Sequence, residues 1–483
     1  MTQANIRKVA VLGGGITGLA AAFYLYRAAE EQGIKIDVVL LEGTDRLGGR
    51  VNTLRRDGFF IERGPDSFLA RKLPMVRLAE ELGLSDQLTG TNPEAKKTYI
   101  AREGVLHPMP AGLNLGVPTD AEAFLKTGLL SEEGKKRALE EVDVPPLPAG
   151  APDETVGAFL ERRFGLEMVK RIFEPLLAGI HAGDLYALGL EATFPQFRDM
   201  ERQYGSLIRG MTEARKAAQQ KNPEDKAAER SIGSAFLTFR WGLTTVVEAL
   251  EARLREYGCE IRLGARVVGL EKPNSSPAYR LLLEQGEPID ADAVIVALPA
   301  SGIAGLLEPH VDVSSMRGIN YISVANVVFG YDAAGFGHPL DGSGFLVPRG
   351  EGSLITASTW TSSKWLHTAP EGKRLVRCYV GRAGEESNVE LSDEDITAGV
   401  RRDLKALMGL DAEPEFVEIT RLRHSMPQYP VGHRLAADAF LTELADRLPG
   451  VLAAGQPFGG VGLPDCVAQG KEAAESIVRL LNE

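Results

Sequence analysis

The chain has 483 residues, room for about three domains at roughly 150 residues each, and it is 44% apolar, 25% charged and 7% aromatic with 53 Gly and 27 Pro. That composition excludes a disordered, collagen-like or membrane-bundle chain. Its 66 acidic residues against 54 basic ones leave a net charge of -12, the wrong sign for wrapping a phosphate backbone, so no nucleic-acid partner is expected.

Cys259, Cys378 and Cys466 are odd in number and lack a C-x-x-C spacing, so neither a disulfide framework nor a zinc site follows; a reducing, cytoplasmic setting is expected. Arg7 and Lys8 precede an apolar stretch, as in a signal peptide, but the glycines within that stretch argue against one. No run of about 18 uninterrupted apolar residues occurs, so no membrane span is expected.

In chain order, Lys8 to Leu12 reads as a buried strand, Ile16 to Gln32 as a helix and Lys35 to Leu41 as a second strand, together a βαβ unit. Ala79 to Leu84 reads as the end of a helix closed by Gly83, and the polar segment Thr89 to Lys97 as an exit from the first domain. Asp143 to Pro152 is a Pro-rich extended connector. Apolar residues from Val156 to Leu177 then recur at helical spacing, with Gly165 splitting the run. Thr212 to Ser231 has almost no large apolar side chain and reads as a surface loop or solvated helix.

Strands dominate thereafter. Glu260 to Leu270, Tyr279 to Leu283 and Ala293 to Ala297 suggest a hairpin and a return strand. Tyr321 to Tyr331, Gly344 to Val347, Leu354 to Ser358 and Arg374 to Gly381 suggest a mainly antiparallel sheet. A strand at Gly450 to Ala454 and a helix from about Asp465 to Leu481 close the chain.

The chemistry-bearing motif is Gly13-Gly-Gly15-Ile16-Thr17-Gly18, a G-x-G-x-x-G between a strand and a helix. Gly13 permits the tight turn, Gly15 lets the backbone approach a pyrophosphate, and Gly18 allows close packing of helix on strand. Glu42 ends the second strand at the offset where a carboxylate accepts hydrogen bonds from ribose hydroxyls. A glycine-rich turn without a ligand would explain the glycines but not Glu42. At this point both NAD and FAD fit. Arg46-Leu-Gly48-Gly49-Arg50 adds two guanidinium groups around flexible glycines, a construction suited to a diphosphate, and Gly64-Pro65-Asp66-Ser67 adds another tight turn.

E-x(3)-R-x-G-G-R after this fingerprint resembles the flavin amine oxidase and protoporphyrinogen oxidase superfamily, which implies bound FAD. The resemblance implies an α/β architecture: a Rossmann-type FAD-binding domain from residues 1–88, 236–300 and 421–483, a mainly helical insertion at 89–235 and a β-rich substrate domain at 301–420. It places Gly13, Gly14, Gly15, Ile16, Thr17, Gly18, Glu42, Gly43, Arg50, Gly64, Pro65, Asp66 and Ser67 at the cofactor. Val267 would reach the adenine through its backbone. The terminal loop with Val461, Gly462 and Leu463 would close over the flavin ring, its helix end favouring negative charge at N1 and the C2 oxygen. Cys466 is not at the position used for covalent attachment, so noncovalent FAD is implied.

Glu62 to Lys72, Leu106 to Pro110, Glu174 to Asp184, Thr193 to Phe197 and Met426 to His433 resemble the porphyrinogen oxidases specifically. The G-P-D-S-F-L-x-R-K and L-P-D variants resemble the Gram-positive bacterial type, which implies coproporphyrinogen III, rather than protoporphyrinogen IX, as substrate and molecular oxygen as the acceptor. The resemblance puts Gly179, Ile180 and His181 beside the macrocycle, with the Gly179 carbonyl accepting from pyrrole N–H groups. His181 stands where relatives carry Tyr or Phe, and read by itself is a packed or solvent-facing histidine. Lys97, Arg71 and Lys72 are candidates for the propionate carboxylates, although taken singly they read as solvated surface charges. Trp360 and Trp365 read equally as pocket walls or core.

No side chain is assigned as an obligatory catalyst, and His424 and His433 give no metal-ligand spacing. An apolar patch on the helical insertion would allow at most weak peripheral contact with a membrane. The alternatives are a flavin amine oxidase, and a binding protein on the same fold that uses no flavin.

Overall fold

In the computed structural model, which describes residues 6–148, 150–220, 234–274 and 278–482, the wholly apolar run Val9-Ala-Val-Leu12 is buried in the middle strand of a five-stranded sheet. Arg7–Leu12 lies between Ile36–Leu41 and Ala293–Val296, with Glu260–Arg262 and Val451–Ala453 at the edges and every pairing parallel. Both faces are covered, as a parallel sheet requires. Val9 and Val11 join one apolar cluster, while Ala10 and Leu12 join another. Three chain segments, far apart in sequence, thus form one layer.

The helix Ile16–Gln32 begins at Gly15 and ends at Gly33, whose φ of 69° closes it in the left-handed region. It packs against the closing helix Leu463–Asn482. That approach needs a glycine, since a Cβ at Gly470 would lie 2.4 Å from the Thr17 carbonyl oxygen.

A seven-stranded sheet forms the second body, in the order Phe416–Gln428, Asn320–Asp332, Lys373–Val380, Ile355–Thr359, Gly342–Leu346, Lys97–Arg102, Val105–Pro108. It is antiparallel except where Gly342–Leu346 runs parallel to Lys97–Arg102. Residues 97–108, expected inside a mainly helical insertion, are therefore the last two strands of this sheet, with Val105–Pro108 at its edge. The two form a local hairpin, and what places that hairpin in this sheet is the pairing of Lys97–Arg102 with Gly342–Leu346, more than two hundred residues away. Phe416–Gln428 also runs through the expected boundary at 420/421, because it pairs with Asn320–Asp332 along nearly its whole length. The expected strand Glu260 to Leu270 is two strands, broken at Gly264, where φ is 66°.

In the helical segment, Val156–Phe164 stops at Gly165, whose φ is 88°. Val169–Ala178 then winds in the wider i to i+5 pattern with Pro175 inside it, where an α-helix would lose a hydrogen bond. This turn delivers Gly179–His181. The segment is held by a buried charge network in which Arg163 pairs with Glu141 and Glu201 pairs with Arg162 and Arg198, both at 2.8 Å. Part of the expected surface segment from Thr212 is the end of the helix Leu207–Gln220, and its remainder lies outside the described residues. Among the described residues no helix is long and apolar enough to cross a membrane.

Candidate active site

The opening turn is set by close approaches that exclude side chains. Gly13 has a φ of 101°, and a Cβ there would lie 2.4 Å from the Ala297 carbonyl oxygen; a Cβ at Gly18 would lie 1.9 Å from the Gly13 oxygen. Gly15 differs, since a Cβ built on it meets nothing within 4 Å. That open space in front of a helix N-terminus is of the kind that suits a diphosphate. Ile16 and Thr17 are buried in the first helical turn behind it.

Glu42 is fixed by its own neighbours: its Oε2 accepts from the Gly14 amide at 2.7 Å, and its Oε1 accepts from the Thr44 amide and hydroxyl at 2.8 Å. The Gly43 neighbour leaves the chain free to pass against Arg266. The amides of Gly264 and Ala265 bond the Thr44 and Glu42 carbonyls, which brings the strand that begins at Val267 beside Glu42.

The second glycine loop lies on the first through the Gly48 amide, which donates to the Gly14 carbonyl at 2.8 Å. Arg46 does not face outward to a diphosphate. Its guanidinium donates to the carbonyls of Leu47, Gly49 and Val51, so it braces its own loop. Arg50 donates to the His424 carbonyl at 3.0 Å, and burial pulls its pKa below the ordinary arginine value.

Gly64 must also be glycine, because a Cβ there would lie 1.8 Å from the Arg50 carbonyl oxygen. The seven-stranded sheet clamps the turn Gly64-Pro65-Asp66-Ser67: Arg377 donates to the Gly64 carbonyl and Asn326 to the Arg63 carbonyl. Burial alone would raise the Asp66 carboxyl, but the charges of Lys364 and Arg377 and the Ser67 hydroxyl hold it below the usual carboxylate range. Burial pushes the nearby Glu62 up to about 7. Trp360 and Trp365 are both 1% exposed and are core side chains.

The closing loop is held by side chains from Met426-Pro-Gln-Tyr-Pro-Val-Gly-His433. The Tyr429 hydroxyl donates to the Gln456 carbonyl at 2.5 Å, and His433 Nε2 donates to the Pro457 carbonyl at 2.9 Å. The two rings stack with centroids 4.7 Å apart. The Gly455 amide bonds Gln469 at 3.0 Å, and Gly460 turns with a φ of 105°. Val461 and Gly462 are half-buried and Leu463 is buried at the start of the closing helix. Cys466 is buried there as a free thiol, pushed up to about 11 by burial.

The residues expected at the macrocycle separate into two groups. Gly179 and Ile180 are exposed, and a Cβ at Gly179 would meet nothing within 4 Å, so this turn has open space in front of it. His181 instead turns inward, edge-on to Phe194 and Tyr429 at 6.0 and 6.2 Å. Burial lowers its pKa to about 4, so it is a neutral packing residue rather than a cation for a carboxylate. Its carbonyl accepts from Gln428 at 2.8 Å, which ties the turn to the Tyr429 segment.

Lys97 pairs with Asp341 at 2.6 Å, and Lys72 pairs with Asp465 at 2.6 Å. Both side chains are therefore already paired with a carboxylate. Arg71 is exposed and has no carboxylate partner among the described residues. The reading of residues missed Tyr429, His433, Arg377 and Asp465 as builders of the site. The prolines flanking Tyr429 were the one local signal of a fixed backbone there.

The cradle at Gly15, the preset Glu42 and the clamped turns at both ends fit a dinucleotide. In comparisons with known proteins, residues 16–478 match the model of the flavin containing amine oxidoreductases. The chain is 41% identical to coproporphyrinogen III oxidase of Bacillus subtilis over 98% of both chains. It is 36% identical to coproporphyrinogen III oxidase of Staphylococcus aureus, covering 98% of this chain and 99% of that one. A crystal structure from Exiguobacterium sp. 255-15, provisionally named a protoporphyrinogen oxidase, superposes with a TM-score of 0.86 at 36% identity over 100% of both chains.

Proposed function

We propose that this chain, which belongs to the flavin containing amine oxidoreductase family and to its porphyrinogen oxidase branch, oxidises coproporphyrinogen III to coproporphyrin III with FAD bound noncovalently. The observation that carries this reading is the likeness to the Bacillus subtilis enzyme, which runs through both ends of the chain and so spans the opening turn, the macrocycle turn and the closing loop. When bound, FAD supplies a two-electron acceptor for hydride from a meso carbon, and molecular oxygen takes those electrons on to hydrogen peroxide.

The residues of the chain bind and orient. The amides after Gly15 hold the diphosphate, and Glu42 holds the ribose hydroxyls. The clamped backbone of Gly64 to Ser67, with Arg50, fixes the middle of the cofactor; Val461 to Leu463 border its ring. The open turn at Gly179 and Ile180 borders the macrocycle, and the Gly179 carbonyl accepts a pyrrole N–H. Arg71 is the cation that remains for a propionate. His181 packs behind that turn as a neutral side chain, so the chain contributes geometry and exclusion of water rather than an acid or base. The buried, unpaired thiols suit a cytoplasmic setting.

Porphyrin fluorescence under air, with coproporphyrinogen III and protoporphyrinogen IX compared side by side, tests the reading. Faster turnover of coproporphyrinogen III with peroxide release is expected. Equal or faster turnover of protoporphyrinogen IX overturns the substrate assignment. Peroxide from polyamines or aromatic amines without porphyrin formation overturns the reaction itself, and a purified protein without yellow colour overturns the cofactor.

A further inference from the structure

We infer that Lys72 and Asp465 form a charge pair that sets the reduction potential of the flavin held by the closing loop; this rests on the cofactor reading proposed above. Asp465 is the third residue of the closing helix Leu463–Asn482. A carboxylate there stabilises the helix through its exposed first-turn amides. It also sits against the loop, since Cβ atoms built at Gly460 and Gly462 would lie 3.1 and 2.8 Å from its Oδ2. An uncompensated charge in that position opposes the capacity of the helix end to accept the negative charge that a flavin ring gains on reduction.

Lys72 removes that opposition. Its Nζ, carried on the turn ahead of the helix Pro74–Glu81 and 393 positions away in the chain, donates to both carboxylate oxygens at 2.7 and 2.6 Å. The helix keeps its acidic first turn, while the field presented to the loop is left to the amides. The adjacent cations are thereby divided in role: Arg71 is exposed with no carboxylate partner among the described residues, whereas Lys72 is held. Lys72 acts through Asp465 and is a positioning residue. The two side chains are 41% and 23% exposed, so water moderates the effect to about tenfold in the equilibrium for flavin reduction.

The test is the midpoint potential of the bound flavin, equilibrated against a reference dye in excess FAD, for the wild type, Lys72→Met, Asp465→Asn, the double variant and Lys72→Arg. Lys72→Met should lower the reduction equilibrium about tenfold, or ~30 mV for a two-electron couple. Asp465→Asn should raise it by a similar factor, the double variant should return towards the wild type, and Lys72→Arg should stay within about twofold. Loss of packing alone does not produce shifts of opposite sign. Shifts in the same direction, or potentials within about twofold throughout, overturn the inference while leaving the cofactor reading intact. A wild type that takes up no FAD overturns both.

Discussion

The opening turn at Gly13–Gly18 and the closing loop at Gly455–Leu463, the two ends of the proposed cofactor site, are fixed by different means. The opening turn is held mainly by its own backbone and by Glu42, within a single βαβ unit. The closing loop is held by side chains that arrive from another part of the chain, Tyr429 and His433, while Lys72 pairs with Asp465 on the helix that follows it. The first is a preformed local cradle. The second depends on the assembly of the whole molecule, and through the contact of His181 with Tyr429 it is mechanically continuous with the turn at Gly179–His181.

The largest expected effect isolates the opening turn. Gly15 has φ −71° and ψ 176°, a conformation any residue adopts, so Gly15→Val should fold normally and still fill the cradle. Loss of the flavin absorbance at an unchanged melting temperature is the expected outcome; stoichiometric flavin in that variant would falsify the placement of the diphosphate. Gly18→Val should instead fail to fold, because its side chain meets the Gly13 carbonyl.

The next effect tests the continuity on the substrate side. His181 has its pKa lowered from 6.5 to about 4 by burial, so the folded state binds fewer protons than the unfolded state between those values. Stability from this group is fully present above about pH 6.5 and is lost as pH falls towards 4, on the order of 3 kcal/mol. His181→Phe should flatten that acid limb in denaturant titrations at pH 4.5 and 7, taken as roughly the two ends of the window. An unchanged slope means that the ring is not buried as described.

A smaller effect is expected at the closing loop. Tyr429→Phe removes one hydroxyl and leaves the Gln456 carbonyl without its partner, which costs about 1–3 kcal/mol. A faster flavin off-rate with normal assembly of the opening turn is the expected result, read by flavin release on dilution. The smallest effect is at Lys97→Ala. Its partner Asp341 is exposed and screened, so neither the melting temperature nor KM should move. A marked rise in KM would return Lys97 to the substrate.

Much of the nucleotide-binding layer was legible because its signals are local. Ile16–Gln32 follows from apolar spacing between two glycines, and the strand after it from a β-branched run. Residues 97–108 were not legible as part of this sheet, since the hairpin they form is short and only the pairing of Lys97–Arg102 with Gly342–Leu346 from another segment docks it there. The ion pairs of Lys72 and Lys97 were not legible for a similar reason. A lysine in a sequence shows its charge but not the carboxylate that neutralises it.

The sequence by itself determined the dinucleotide turn, the carboxylate that follows it and the glycine loop before the last helix. Each is a short-range pattern in which steric limits on the backbone permit few residue types. Only the tertiary structure decided which cations are already paired, that His181 faces the core, and that a tyrosine and a histidine hold the closing loop. Those outcomes depend on burial and on contacts between segments hundreds of residues apart, and the free energy of such contacts exists only once the chain has folded.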